Sequence, residues 1–141
     1  MFSGSFLHNI DKKGRIFIPA KMREDLGVGF VLSVPIDGEH CLSICTTEHR
    51  RSLQEKIDQL PMVKRKALNR AFGPLTVEIE CDVQGRILIP PLFREYAGLG
   101  DSAYVVGTND EIEIWDKETW EKKREQLCSE SIAELVGSID F

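Results

Sequence analysis

Two five-residue stretches carry side chains suited to gripping an anion. Residues 11–15 read Asp-Lys-Lys-Gly-Arg, and residues 82–86 read Asp-Val-Gln-Gly-Arg. In each, Asp-x-x-Gly is turn chemistry: the carboxylate can accept a local backbone hydrogen bond, and glycine supplies the positive φ that closes a hairpin. The arginine that follows has a planar fork able to meet a phosphate or a guanine edge with two parallel bonds. An aspartate beside it can hold that fork in place. Lys12 and Lys13 make the first turn a cationic tip that can neutralise phosphates, whereas the second turn has Val83 and Gln84 in their places. Lys12, Lys13 and Arg15 are therefore candidate DNA-contacting residues, with Arg86 at the matching position of the second turn and Lys21, on the helix after the first, able to add a phosphate contact; Asp11, Gly14, Asp82 and Gly85 are the framework of the motif. An Asp11–Arg15 or Asp82–Arg86 pair that braces its own turn is the plainer reading, and the two roles are compatible.

Other chemistry is weaker. His40, Cys41, Cys45 and His49 have the side-chain types of a zinc site but not its tight spacing. Cys41-Leu-Ser-Ile-Cys45 alternates as a strand does, which sets the two sulfurs on one face roughly 13 Å apart, too far for one metal. Cys41, Cys45, Cys81 and Cys128 all read as reduced thiols, since nothing else suggests an oxidising compartment. Neither metal nor cofactor is expected. No Ser/His/Asp set, glycine-rich phosphate loop or carboxylate cluster points to catalysis, so an enzyme is not expected. Lys64-Arg65-Lys66 with Arg70 forms a second basic patch, read as a solvated helix face or a subunit interface opposite the acidic C-terminal half. Trp115 and Trp120 read as core or interface packing. Arg23 and Arg94, each followed by a glutamate, read as structural ion-pair formers.

The elements that must position these residues come in two copies. Residues 11–27, DKKGRIFIPAKMREDLG, and residues 82–98, DVQGRILIPPLFREYAG, agree at nine of seventeen positions. Such a match marks an internal repeat. Phe6, His8 and Ile10 alternate, as do Val77, Ile79 and Cys81, so a half-buried strand enters each motif. Arg-Ile-x-Ile-Pro is the return strand, ended by Pro19 or Pro90 for want of an N–H. Short helices Ala20–Leu26 and Pro91–Ala97 follow, stopped by Gly27 and Gly98 as left-handed caps. Strands Phe30–Val34 and Cys41–Cys45 turn around Asp37-Gly38; Ala103–Gly107 and Ile112–Trp115 turn around Asn109-Asp110.

Helical spacing links the copies, with Leu53, Ile57 and Leu60 marking one inner face and Val63, Ala67, Leu68 and Ala71 another; Pro61 parts them. Lys117–Leu127 is a charged helix that Asp116 can cap. Ser131-Ile-Ala-Glu134 has the form of a capping box for a last short helix. One repeat of about 43 residues is too small to bury a core alone, so the halves must share one. The expected divisions are 5–47 and 76–119 for the repeats, 48–75 for linker helices and 120–141 for C-terminal helices.

The 141 residues carry a formal charge of −5, which argues against a simple polycation that coats nucleic acid. The distribution is uneven. Residues 1–70 hold 12 Lys+Arg against 8 Asp+Glu, a net of +4, and residues 71–141 hold 6 against 15, a net of −9. One anion-facing surface, or copies that dock head to tail, would suit that asymmetry. No apolar run approaches the ~18 residues of a membrane span, and the N-terminus lacks the charged and apolar regions of a secretory signal. An intracellular protein with no membrane partner is expected.

The paired Asp-x-x-Gly-Arg turns, each running into Ile-x-Ile-Pro, together with the opening Met-Phe-x-Gly, resemble the MraZ family of bacterial transcriptional regulators. These are tandem versions of the swapped-hairpin barrel of AbrB and SpoVT. The resemblance implies a mainly β fold with short helices, in which two repeats interdigitate into one pseudo-two-fold barrel. It further implies a ring-shaped homo-oligomer that binds short direct repeats in double-stranded promoter DNA and represses its own division and cell-wall gene cluster. Such a protein works in the cytoplasm, at the nucleoid. By the family pattern, the Asp-x-x-x-Arg positions fall on Asp11 with Arg15 and Asp82 with Arg86. A ribosomal-RNA methyltransferase is commonly encoded beside the family. Action on such a protein partner, with DNA binding secondary, is the alternative function.

Overall fold

A computed structural model describes residues 1–127 and 129–140. The chain is mainly β with short helices, as the sequence predicts. In order, the elements are β1 (Ser5–Asn9), β2 (Arg15–Phe17), α1 (Ala20–Leu26), β3 (Phe30–Ser33), β4 (Leu42–Thr46), α2 (Thr47–Asp58) and α3 (Met62–Phe72). After a 3₁₀ turn at Gly73–Leu75 come β5 (Thr76–Ile79), β6 (Arg86–Leu88), α4 (Pro91–Ala97), β7 (Ser102–Gly107), β8 (Ile112–Asp116), α5 (Lys117–Gln126) and α6 (Ser129–Val136).

Six strands form one antiparallel sheet in the order β1-β7-β8-β4-β3-β5, and β2 pairs with β6 in a separate ribbon. Exchanging each strand with its counterpart in the other repeat turns that order into its own reverse. The fold therefore has a pseudo-dyad, running between β8 and β4 and through the ribbon. The two motifs are swapped: β1 pairs with β7 of the second repeat, β5 with β3 of the first, and β2 with β6. This is the interdigitation that the family resemblance implies, and it replaces pairing of the two strands within each turn. Each turn is closed locally, Asp11 N–H to the Arg15 carbonyl at 3.0 Å and Asp82 N–H to the Arg86 carbonyl at 2.8 Å. Beyond that bond the strands part to find partners in the other repeat.

Alternation explains the core. Ile16, Ile18, Ile87 and Ile89 point inward from the ribbon, meeting Leu32, Leu42, Ile44, Val105, Ile112 and Ile114 from the sheet, and all of them are fully buried. Phe2 joins this core and ties its backbone to Asn109 in both directions, at 2.8 and 2.9 Å. Ladder bonding runs one residue past each short ribbon strand, Ile18 N–H to the Gly85 carbonyl and Ile89 N–H to the Gly14 carbonyl. Pro19 and Pro90 then stop it and begin α1 and α4. Trp115 is buried against Cys41 and Val106, with the Trp120 ring 5.6 Å from its own, so the tryptophans pack rather than form a platform.

Several local expectations are corrected. The entering strands β1 and β5 lie at the two edges of the sheet; β1 is largely exposed, while Ile10, Ile79 and Cys81 pack against the core as the alternation predicts. Gly98 is left-handed (φ 60°, ψ 35°), but Gly27 takes φ 81°, ψ −160° and is no αL cap. Helix α3 buries none of its side chains despite the spacing of Val63, Ala67, Leu68 and Ala71. Asp116 precedes α5, yet its carboxylate accepts from Gly100 N–H at 3.0 Å and makes no cap bond. Ser131 lies inside α6, not at its start. Cys128 lies outside the described residues. Cys41 and Cys45 are buried free thiols; burial raises both, Cys45 to about 11. His40 stacks near Tyr96 and His49 faces Glu111, so the four residues that mimic a zinc set turn to different neighbours.

Candidate nucleic-acid interface

Each Asp-x-x-Gly-Arg turn is a rigid clamp. Asp11 Oδ1 accepts from the backbone N–H groups of Lys13 (3.0 Å) and Arg15 (2.9 Å), while Oδ2 accepts from Arg15 Nε at 2.6 Å. Asp82 repeats the arrangement, receiving the Gln84 and Arg86 amides and Arg86 Nε, all at 2.9 Å. The backbone bonds from Arg15 and Arg86, above all, hold the two carboxyls below the usual aspartate value of 3.8. Both carboxylates are charged at neutral pH and fix the arginines through Nε. Among the described residues no hydrogen bond uses the terminal nitrogens of Arg15, which leaves one edge of its fork open to a bidentate acceptor.

The glycines are fixed twice over. Gly14 and Gly85 have φ of +88° and +85°, where a side chain is strained. Both are also buried beneath an arginine from the opposite repeat. A methyl group at Gly14 would stand 2.8 Å from the Arg94 guanidinium, and one at Gly85 would stand 2.5 Å from Arg23 Nη1. Arg94 Nε donates to the Ile89 carbonyl at 3.1 Å, and Arg23 Nη1 donates to the Ile18 carbonyl. These arginines are structural, but they do not form the expected ion pairs: Glu24 and Glu95 lie within bridging distance of neither. They are struts that lock each turn onto the α1 or α4 helix of the other half.

Strand register gives the ribbon an outer face. Arg15 pairs with Leu88, Phe17 with Arg86, and Ile16 with Ile87. Since Ile16 and Ile87 are buried, Arg15, Phe17, Arg86 and Leu88 share the opposite side. Phe17 is 44% exposed and Leu88 56%. The Arg86 guanidinium lies 5.9 Å over the Phe17 ring, and its Nη1 is 3.9 Å from Asp11 Oδ2. Thus the structure brings Arg15 and Arg86 together on one surface. Lys12 and Lys13 stand exposed on the turn at one end of the ribbon, and exposed Val83 and Gln84 mark the turn at the other. Lys21 is off this face, on α1, near Asp25 of its own helix at 3.4 Å. Phe17 and Leu88 were missed as surface residues, although the buried isoleucines on either side of each signal their outward direction.

A two-stranded ribbon has the width to enter a DNA major groove, and this one presents two carboxylate-oriented arginines with apolar side chains between them. The MraZ protein family model, whose description also notes a suggested likeness to antitoxins, matches residues 1–68 and 74–136. The chain is 42% identical to the transcriptional regulator MraZ of Acetivibrio thermocellus over 99% of both chains. It is 44% identical to that of Pelotomaculum thermopropionicum, over 100% of this chain and 99% of the relative. Identity to the Caldanaerobacter subterraneus subsp. tengcongensis protein of the same name is 41%, over the full length of both. With repeats, clamps and full-length likeness in agreement, the chain belongs to the MraZ family.

Proposed function

We propose that this chain is a sequence-specific, DNA-binding transcriptional regulator rather than an enzyme, and that the outer face of the β2/β6 ribbon reads the major groove. The observation that carries the reading is the pair of Asp-clamped arginines, Arg15 and Arg86, on one exposed face beside the Lys12-Lys13 tip. An arginine already oriented loses less freedom when it meets a guanine edge, and each good bidentate contact gives about 1–3 kcal/mol of base discrimination. Lys12 and Lys13 supply phosphate contacts at one end, and Lys21 reaches the backbone from α1. The names of the full-length relatives support the same conclusion.

In this reading the repeats at 5–47 and 76–119 form a single reading head, with the segments 48–75 and 120–141 serving assembly. One ribbon covers few base pairs and binds weakly alone. A ring of copies facing direct repeats in a promoter gains avidity through effective concentration, with no new contact per site. An acidic protein can act this way because only the presented turns need be basic. The regulator represses its own division and cell-wall gene cluster from the cytoplasmic nucleoid; in the alternative reading its partner is the ribosomal-RNA methyltransferase encoded beside it.

Fluorescence anisotropy with duplex DNA from upstream of the chain's own gene tests the reading. Wild type should bind it far better than scrambled DNA, with affinity falling steeply between two salt concentrations as counterions are released. Arg15→Ala should reduce the preference, by about 1–3 kcal/mol. Equal binding to scrambled DNA would overturn the reading and put action on a protein partner first.

A further inference from the structure

The outer face of the ribbon is apolar at two places where a solvated strand would be polar. Phe17 and Leu88 occupy equivalent positions of the two repeats and are 44% and 56% exposed. Register sets Phe17 opposite Arg86 and Leu88 opposite Arg15. Each apolar side chain therefore has one arginine across the ribbon and the other two residues back along its own strand. The Phe17 ring is held in place, with the Arg86 guanidinium 5.9 Å over it and the His8 ring 6.3 Å away. A side chain held this way loses little freedom when it meets a ligand.

The charges around this pair decide what can cover it. A protein surface seated on Phe17 and Leu88 would have to bury both guanidiniums against acids of its own. A DNA groove brings the acceptors with it, guanine O6 and N7 for the arginine forks and phosphates for Lys12 and Lys13. The apolar group that the major groove offers is the C5 methyl of thymine, a known partner for phenylalanine and other apolar side chains. Spacing agrees. Residues two apart on a strand stand about 6.7 Å apart, which matches two base-pair steps of about 3.4 Å each.

We infer that Phe17 and Leu88 select thymine, each seating against a C5 methyl group within about two base pairs of a guanine met by Arg15 or Arg86. The arginines read guanine, and the methyl contact distinguishes thymine from cytosine beside it. The inference rests on the groove-reading ribbon proposed above and names further bases that it selects.

The test compares the full-length protein on two duplexes by anisotropy: DNA from upstream of its own gene, and the same duplex made with deoxyuridine in place of every thymidine. Uracil lacks the methyl group and keeps the base pairing. Wild type should bind the uracil duplex about fourfold more weakly for each methyl it contacts, the cost of one buried methyl at about 0.8 kcal/mol. A chain with Phe17→Ser and Leu88→Ser should bind the two duplexes alike. The ratio between duplexes is what is read, so a uniform loss of affinity, from freeing Arg86 or from a weaker fold, cannot imitate it. Any effect of uracil on duplex shape would persist in the double variant. Replacing one thymine at a time should reveal one sensitive position that Phe17→Ser abolishes and another that Leu88→Ser abolishes. Equal wild-type binding to both duplexes, or a uracil penalty that the double variant shares, overturns the inference and leaves the groove-reading ribbon intact. Wild type that binds upstream and scrambled thymine duplexes alike overturns that reading as well.

Discussion

Gly85→Ala isolates the strut that joins the two halves. The substitution places a methyl group 2.5 Å from Arg23 Nη1 and 2.6 Å from its Cζ, on backbone at φ +85°. Left-handed backbone costs an L-residue roughly 1–2 kcal/mol. Moving the guanidinium breaks its bond to the Ile18 carbonyl, worth about 1–2 kcal/mol for a partly exposed charged donor. The expected loss is about 2–4 kcal/mol, which lowers the melting temperature by about 6–12 °C in a chain of this length. Gly29, with nothing within 4 Å of a built methyl group, is the control. Circular dichroism melts of Gly85→Ala, Arg23→Ala and the double variant complete the cycle. Removing Arg23 first should leave only the backbone share of the Gly85→Ala cost, a coupling of about 1 kcal/mol or more. A Gly85→Ala chain as stable as Gly29→Ala, or additive losses in the cycle, would refute the strut.

Other outcomes follow from the same geometry. Arg15→Ala and Arg86→Ala should each weaken specific DNA binding by about 1–3 kcal/mol, whereas Lys12→Ala with Lys13→Ala should weaken specific and scrambled DNA alike and flatten the salt slope by about 2; anisotropy titrations separate the two patterns. Burial holds the Glu113 carboxyl above its usual 4.5, even though it accepts Trp115 Nε1 at 3.0 Å. A raised folded value means that its stabilising share is full below 4.5 and lost as pH rises through the folded value. Glu113→Gln should therefore be more stable than wild type at pH 7, with the gap closing below about pH 4; equal denaturant midpoints at pH 7 would count against it. In a chain with Cys81→Ser and Cys128→Ser, Cys41 and Cys45 should resist a thiol reagent at pH 8 until denaturant is added, because burial raises both thiols.

The repeat made most elements legible, and the boundaries of α1 and α4 coincide with the sequence reading. Strand partners were not legible in the turn signals alone; only the family resemblance implied the interdigitation. Asp-x-x-Gly specifies a turn, and its own local bonds satisfy that signal whether or not the strands stay together. Only the shared core dictates that Ile16 and Ile87 meet. The Arg15 and Arg86 clamps were readable because Asp and Arg stand four residues apart across a turn. Arg23 and Arg94 were misread because their acceptors are ladder-end carbonyls, which carry no sequence signature. The spacing of α3 suggested a buried face, but spacing reports amphipathicity and does not name the surface that covers it.

Guanine-N7 methylation interference on the upstream DNA tests the groove-reading ribbon most directly, because N7 is one of the two acceptors an arginine fork meets in the major groove. Wild type should lose binding when a small set of guanines is methylated, and Arg15→Ala should become indifferent to part of that set while Arg86→Ala becomes indifferent to another. Binding that ignores N7 methylation throughout, or one pattern shared by all three proteins, would contradict the account.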